Sequence, residues 1–146
     1  MSKHVLAQLN IAKMRYTIDA PQMSDFVDNL DRINTLAEQA PGFVWRYITD
    51  DADAHIFAAD ILVNFSTWKD IESLHHYVFN TDHTAIMKRR KEWFDRIDTH
   101  SVMWWHDNQA PPTLAEARRR ITLLSEQGPT AQAFTFKKRF ENPDIG

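Results

Sequence analysis

The chain has 146 residues, a formal net charge of −3 and a hydrophobic fraction of 43%. This length predicts a single domain over residues 1–146, because a chain of this size buries most of its surface around one core. The slightly acidic balance argues against nucleic acid as a partner, and no apolar run is long enough to cross a membrane. With no cysteine and no signal-peptide pattern in its first ten residues, we expect a cytoplasmic protein without disulfides or thiol catalysis.

Glycine is rare in this chain, whereas aromatic residues are common. The three glycines, Gly42, Gly128 and Gly146, lie too far apart to form a glycine-rich phosphate loop, so we expect no tightly bound flavin or nicotinamide. The five tryptophans and nine phenylalanines fill a core by default, and such residues also line pockets for flat organic molecules. The histidines lack the spacing of a zinc site, so no metal site is predicted.

Apolar periodicity, taken in chain order, predicts four strands joined by helices. The strands are His4–Met14, Phe43–Ile48, Ile61–Phe65 and Ser101–His106. The first helix is predicted to begin at Pro21–Ser24 and to end before Pro41 and Gly42.

Two further helix starts are predicted from capping residues. Thr67, with Asp70 three residues on, is expected to cap the helix after the third strand. The last helix has the clearest start, the capping box Thr113–Glu116, and Gly128 ends it.

The stretch from Leu74 to Phe94 predicts a pair of helices separated by turn residues at 80–82. His83 and Arg90 would lie two turns apart on the second helix, about 10 Å along its axis. They would share its core-facing stripe with Met87 and Trp93. Polar groups on an apolar stripe need a partner or a function, so this helix marks the predicted site.

The order of these elements predicts an α+β fold, a ferredoxin-like βαββαβ unit with an additional C-terminal helix. Both alternating sets in the strands are largely apolar, as in Met103 and Trp105 against Val102 and Trp104. A sheet with one face in water would show a polar set instead. We therefore expect the sheet of a second copy to cover the second face in a homodimer.

Five segments resemble an uncharacterised bacterial family of domain-of-unknown-function proteins. They are LAQLNIAKM, GFVWRY, ILVNFSTW, a histidine followed by IMKRRKEWF, and GPTAQAFTF. That family is placed in the dimeric α+β barrel superfamily, beside the antibiotic-biosynthesis monooxygenases. The resemblance covers nearly the whole chain and implies a homodimer with a small-molecule pocket between sheet and helices in each subunit.

The heme-degrading branch of that superfamily is similar in two features. It has an asparagine on the first strand, here Asn10, and an aromatic residue on the helix after the third strand, here Tyr77. Its iron-binding histidine would fall near Met87, one turn beyond His83. This departure argues against iron ligation, so we expect no cofactor, with heme as the alternative.

The predicted function is a small-molecule enzyme of monooxygenase-like or isomerase type that acts on an aromatic or conjugated compound. His83 is the candidate acid–base group, and Arg90 is the candidate group for holding a carboxylate or enolate. The candidate substrate-binding residues are Asn10, Trp45, Asn64, Tyr77, Met87, Trp93 and Trp105.

Each candidate has a structural alternative. His83 would be a core histidine bonded to a carbonyl, and Arg90 would pair with Asp60 or Asp107. The asparagines would satisfy each other or the helix ends, and the tryptophans would fill the core or the dimer interface. The alternative function is a non-catalytic binding protein for heme or another flat ligand.

Overall fold

The fold is built on one antiparallel sheet, seen in a computed structural model that describes residues 3–80 and 83–144, apart from the side chains of Asp51, Asn80, His83 and Thr84. Its strands are β1 His4–Met14, β2 Phe43–Arg46, β3 Ile61–Trp68, β4 Phe94–Asp95 and β5 Ser101–Asp107. The strand order is β2-β3-β1-β5, with the two-residue β4 also paired to the end of β1. The architecture is therefore α+β, with β1 at the centre of the sheet.

The helices follow the predicted order. They are α1 Ser24–Gln39, α2 Ile71–Asn80, α3 His83–Lys88 and α4 Leu114–Gln127, with 3₁₀ turns at Pro21–Met23, Asp51–Asp53 and Arg90–Glu92. All four predicted strands are present, β1 with its predicted bounds, β2 shorter, and β3 and β5 longer. Among the described residues, no helix is long and apolar enough to cross a bilayer.

The two sheet faces pack against different helices. Even-numbered residues of β1, such as Leu6, share a core cluster with Ile33 of α1 and Leu74 of α2. Odd-numbered residues, such as Leu9, share another cluster with Ile121 of α4. Alternation along the strand thus divides the core into a face covered by α1–α3 and a face covered by α4.

The packing of α4 corrects the argument from two apolar strand faces. That argument assigned the second face to the sheet of a second copy, yet α4 of the same chain buries Trp104 and Val102 there. Trp105 lies on the opposite face, where its indole Nε1 donates to the Phe140 carbonyl at 2.8 Å. Both tryptophans therefore pack within their own chain, and neither is free to face a partner sheet.

The start of α2 also differs from the prediction. Thr67 does not cap this helix, because it lies inside β3 with 1% of its surface exposed. Asp70 is the capping residue, and its Oδ1 accepts from the backbone N–H of Ser73 at 2.8 Å. The strand continues three residues further than predicted because Leu6 of β1 pairs with Trp68.

The end of α3 is the largest difference. The predicted helix through Phe94 stops at Lys88, and the backbone continues as a 3₁₀ turn. Phe94 then pairs with Met14 of β1, and the buried Trp93 packs against Phe26 of α1 at 5.5 Å. Pairing with β1 and burial of Trp93 override the helical periodicity, since tertiary packing outweighs weak local preferences.

Candidate functional site

Four polar side chains lie together on the face of the sheet that α1–α3 cover. These are Gln8 and Asn10 of β1 and Asn64 and Ser66 of β3, which we call the polar strip. In the strand register Gln8 is opposite Ser66 and Asn10 is opposite Asn64. Directly opposed residues in an antiparallel pair have Cβ atoms about 5 Å apart, so the four side chains form one group.

The polar strip separates two apolar clusters on the same face. Leu6 and Trp68 lie beyond one end, in the cluster with α2. Leu62 and Met14 lie beyond the other end, in the cluster with Trp93. Polar groups in the middle of an otherwise apolar face need hydrogen-bond partners, from the protein or from a ligand, so the strip is the candidate site.

Helix α3 borders the two apolar clusters, and the strip reaches solvent. Ile86 of α3 packs against both apolar clusters, which places the helix between them. Asn64 is exposed and Asn10 is half-buried, although both point to the covered side of the sheet. Both asparagine side chains are therefore accessible to water.

Hydrogen bonds organise the strip. The side-chain nitrogen of Gln8 donates to Asn64 Oδ1 at 2.9 Å and to Ser66 Oγ at 2.8 Å. Ser66 Oγ also accepts from the indole Nε1 of Trp68 at 2.8 Å. The described side chains of the strip are neutral amides and a hydroxyl, which can orient or polarise an oxygen-bearing ligand but do not titrate near neutral pH.

A cation lies next to this strip on β2. Arg46 is opposite Ser66 in the register and is half-buried. Its Nε lies 3.5 Å from the Glu38 carboxylate of α1 and, within the described part of the chain, has no hydrogen-bond partner. Glu38 is its ion-pair partner, and the other nitrogens of the guanidinium are donors suited to an anionic oxygen.

The two predicted catalytic residues are not brought together by the helix. Only the backbone of His83 is described, at the start of α3 and one turn before Ile86, so its side-chain role lies outside the described residues. Arg90 is exposed at the start of the 3₁₀ turn and does not lie on an inward stripe. Since α3 ends at Lys88, the predicted two-turn spacing between the pair does not exist.

Two of the predicted binding residues are core residues. Tyr77 is 5% exposed, stacks on Trp68 at 5.2 Å and donates its hydroxyl to the Ile33 carbonyl at 3.0 Å. Its burial raises the pKa of the Tyr77 phenol to about 12. Trp93 is 1% exposed, and the guanidinium carbon of Arg89 lies 4.8 Å above its ring. Both rings are therefore closed off by protein.

The remaining predicted residues divide between the faces. Asn10 and Asn64 form the open part of the polar strip, and Met87 is half-buried on α3. Trp45 lies on the α4 face, with its ring 5.3 Å from Phe65, so it cannot share a pocket with the strip. Trp105 is on the same face of the sheet as the strip, but its indole N–H is bonded to the Phe140 carbonyl of the C-terminal segment.

Three residues of this region were missed from the sequence, namely Gln8, Ser66 and Arg46. The signal for the first two was present, because period-two alternation puts Gln8 beside Asn10 and Ser66 beside Asn64 on one face. Arg46 carried no such signal. A bulge between Phe43 and Trp45 shifts the register of β2 by one residue, and bulges are not readable from this pattern.

Two open clefts lie elsewhere, along α4. The larger has a volume of about 510 Å³ and is bordered by His55, Arg118 and Arg119, and the smaller has about 250 Å³ beside Asp98. None of the predicted site residues borders either cleft. Arg118 donates to the Ile56 carbonyl, which ties the 55–57 segment to α4. Over residues 3–80 and 83–144, no cluster of three or more potential metal ligands is found.

Comparison with known proteins gives a family but no activity. A family model described as a domain of unknown function, DUF3291, matches residues 5–146. No curated protein is significantly similar in sequence.

Solved structures extend the likeness at the level of the fold. A protein of unknown function from Nitrosomonas europaea is 13% identical over 77% of this chain and 97% of its own, with a TM-score of 0.50. A conserved protein from Methanosarcina mazei Go1 is 14% identical over 71% and 92%, with a TM-score of 0.51. SnoaB, a cofactor-independent oxygenase from Streptomyces nogalater, is 14% identical over 76% and 97%, but its TM-score of 0.49 is too low to support an inference.

Proposed function

This chain belongs to the DUF3291 family, and we propose that it is a small-molecule enzyme of monooxygenase-like or isomerase type. Its substrate would be an aromatic or conjugated compound that enters between the sheet and α1–α3. The observation that carries this proposal is the polar strip, where the opposed Asn10 and Asn64 are open to solvent between two apolar clusters. A flat apolar ligand with one oxygen substituent matches that surface.

The proposed roles follow from chemistry and position. The asparagines would hold the substrate oxygen, and the half-buried Met87 would contact its apolar part. His83 remains the proposed acid–base group, because the described residues of the strip cannot move a proton near neutral pH. We propose Arg46 in place of the exposed Arg90 as the cation that stabilises negative charge on the substrate.

An oxygenase without a cofactor takes its electrons from the substrate. Removal of a proton from an electron-rich phenol or ketone gives an anion that reduces oxygen directly. One oxygen atom then enters the product, and the other leaves as water with two hydrogens of the substrate. Amide donors beside the reacting oxygen would stabilise the anion, which is the charge that develops in this reaction.

The test uses anthrone, whose conversion to anthraquinone consumes one oxygen molecule and releases one water. Oxygen uptake by wild-type protein should exceed the uncatalysed rate, and Asn64→Ala should lower kcat/KM about 10-fold or more through loss of a hydrogen bond made in the transition state. Asn108→Ala, at an exposed loop position, is the matched control and should leave the rate unchanged. If the Asn64→Ala protein were as active as wild type, the polar strip would have no role in the reaction.

The alternative is a binding protein for a flat ligand without turnover. The described side chains of the strip favour this alternative, because they are neutral and can bind a ligand by hydrogen bonds without exchanging a proton with it. The resemblance to heme-degrading proteins is weak at Tyr77, since its hydroxyl already donates to the Ile33 carbonyl. Mass spectrometry and an absorption spectrum of fresh protein distinguish the cases, because a Soret band would select heme.

We also propose the finer description of the fold. The order β2-β3-β1-β5 agrees with a ferredoxin-like unit, and two such sheets would form the barrel of a homodimer. Support comes from β2 and β3, where Trp45 and Val63 on the α4 face are only half-buried. A cytoplasmic location remains an expectation from the sequence.

A further inference from the structure

We propose that Gln8 is a positioning residue that fixes the amide of Asn64 with its NH₂ group toward the open side of the polar strip. The site would then select ligands by a hydrogen-bond acceptor, such as a carbonyl or phenolate oxygen, over ligands that offer only a donor. This inference rests on the proposed function, because it names the ligand class of the same site.

The first step is the use of both hydrogens on one nitrogen. A primary amide has two N–H donors, and Gln8 directs one to Asn64 Oδ1 at 2.9 Å and the other to Ser66 Oγ at 2.8 Å. Rotation of the Gln8 amide would place its oxygen against the Asn64 oxygen. The orientation of Asn64 is therefore coupled to that of Gln8.

The second step is the anchor of this chain of bonds in the core. Trp68 is 1% exposed, and its indole N–H, which can only donate, is bonded to Ser66 Oγ at 2.8 Å. Ser66 is itself 6% exposed and so accepts from two donors in a protected position. Bonds made to buried groups are costly to lose, so Ser66 and Trp68 hold the Gln8 amide beside Asn64.

The third step concerns the free end of the network. The oxygen and nitrogen of the planar Asn64 amide point in different directions, and its oxygen is taken by Gln8. Asn64 is exposed, so its NH₂ group is directed away from Gln8 toward the open space of the strip. A hydrogen-bond acceptor on a ligand can bind the N–H groups of Asn64, whereas a ligand N–H would face the Asn64 N–H groups without forming a hydrogen bond.

The experiment compares two flat bicyclic probes, 1-indanone, which only accepts, and indole, which only donates. Affinities are measured by NMR titration of wild-type protein and of Gln8→Glu. Wild type should bind 1-indanone about three- to tenfold more tightly than indole, the effect of one neutral hydrogen bond. The ionised carboxylate that this substitution introduces only accepts, so Asn64 should turn its NH₂ group toward it, and the preference should reverse.

The ratio of the two affinities separates positioning from a structural role. A merely structural residue would weaken both probes equally and leave the ratio unchanged, and that result overturns the proposal while the binding site stands. Gln109→Glu, which adds the same charge at an exposed loop position, should keep the wild-type ratio. Binding of neither probe to wild type would overturn both this inference and the proposed function.

A second variant covers the case in which Gln8→Glu does not fold. Ser66→Ala removes the acceptor that connects Gln8 to Trp68 but leaves both amides in place. With this anchor gone, the amide pair can reverse, so the ratio should fall toward one. A folded Ser66→Ala protein that keeps the full preference for 1-indanone would contradict the positioning role.

Discussion

At the scale of single residues, the contacts of Tyr77 inside the protein indicate that it stabilises the fold. We expect Tyr77→Phe to lower the free energy of unfolding by about 1 kcal/mol, because one buried hydrogen bond to Ile33 is lost while the ring still packs. Urea unfolding measures this change, and Tyr16→Phe, at an exposed position, should have no effect. Unchanged stability together with weaker ligand binding would instead make Tyr77 a pocket residue.

The pKa of Tyr77 gives a second prediction, on alkaline stability. Burial raises this pKa to about 12 from an ordinary value of 10.0, so the folded protein favours the neutral phenol. The stabilisation is fully present below pH 10 and is lost as the pH rises through the folded pKa, since only the unfolded chain ionises in between. Two pKa units correspond to at most about 2.7 kcal/mol.

Comparison of wild type with Tyr77→Phe isolates this contribution. Unfolding free energies measured between pH 9 and 12 should fall more steeply for wild type than for the variant. A shallower slope should remain in the variant, because burial also raises the pKa of Tyr47. Equal slopes in the two proteins would show that folding does not raise the pKa of Tyr77.

The sequence alone singled out the polar Asn10 and Asn64 of this region, but it did not reveal the burial of Tyr77 and Trp93. Asparagines within apolar strands are uncommon enough to stand out, and both lie at the open strip. Tyr77 and Trp93 carry no comparable signal, because a buried aromatic ring and a pocket ring have the same sequence pattern. Only three-dimensional packing separates the two.

At the scale of elements, the start of α4 offers a direct test of a sequence signal. Thr113 accepts from the backbone N–H of Glu116 at 3.2 Å, as its capping box predicts. We expect Thr113→Ala to destabilise the protein by about 1 kcal/mol, measured by urea unfolding, because an N–H at the helix start loses its acceptor.

The control for this prediction lies on the same helix. Thr122 is exposed in the middle of α4, and Thr122→Ala should be neutral or slightly stabilising, because alanine favours a helix interior. Equal destabilisation by the two variants would mean that the Thr113 cap contributes nothing beyond helix propensity.

The elements were predictable where the signal is local. The cap of α4 and the alternation of β1 are contained in a few neighbouring residues, and both were correct. The end of α3 was not predictable, because residues 83–94 keep a helical period while Phe94 pairs with Met14, about eighty residues away. Such a long-range pairing leaves no mark in the local pattern.

At the scale of the whole molecule, the α4 face of the sheet is covered unevenly. Helix α4 packs with β1 and β5, where Leu9 and Trp104 are fully buried. On the other half, Trp45 and Val63 are only half-buried. Beside this half, Ile48, two residues beyond β2, is 71% exposed. Incomplete cover of an apolar strand face favours a partner there, so the homodimer remains our proposal for this half of the face.

The dimer proposal predicts a defined effect of Ile48→Glu. In a two-fold interface each substitution occurs twice, so loss of two buried isoleucines and the gain of two carboxylates should raise the dimer Kd at least about 100-fold. Sedimentation velocity at micromolar concentration should then show monomers for Ile48→Glu and dimers for wild type. Ile18→Glu, at a 44% exposed position before α1, is the control and should remain dimeric. A monomeric wild type would end the proposal, and a dimeric Ile48→Glu protein would place the interface elsewhere.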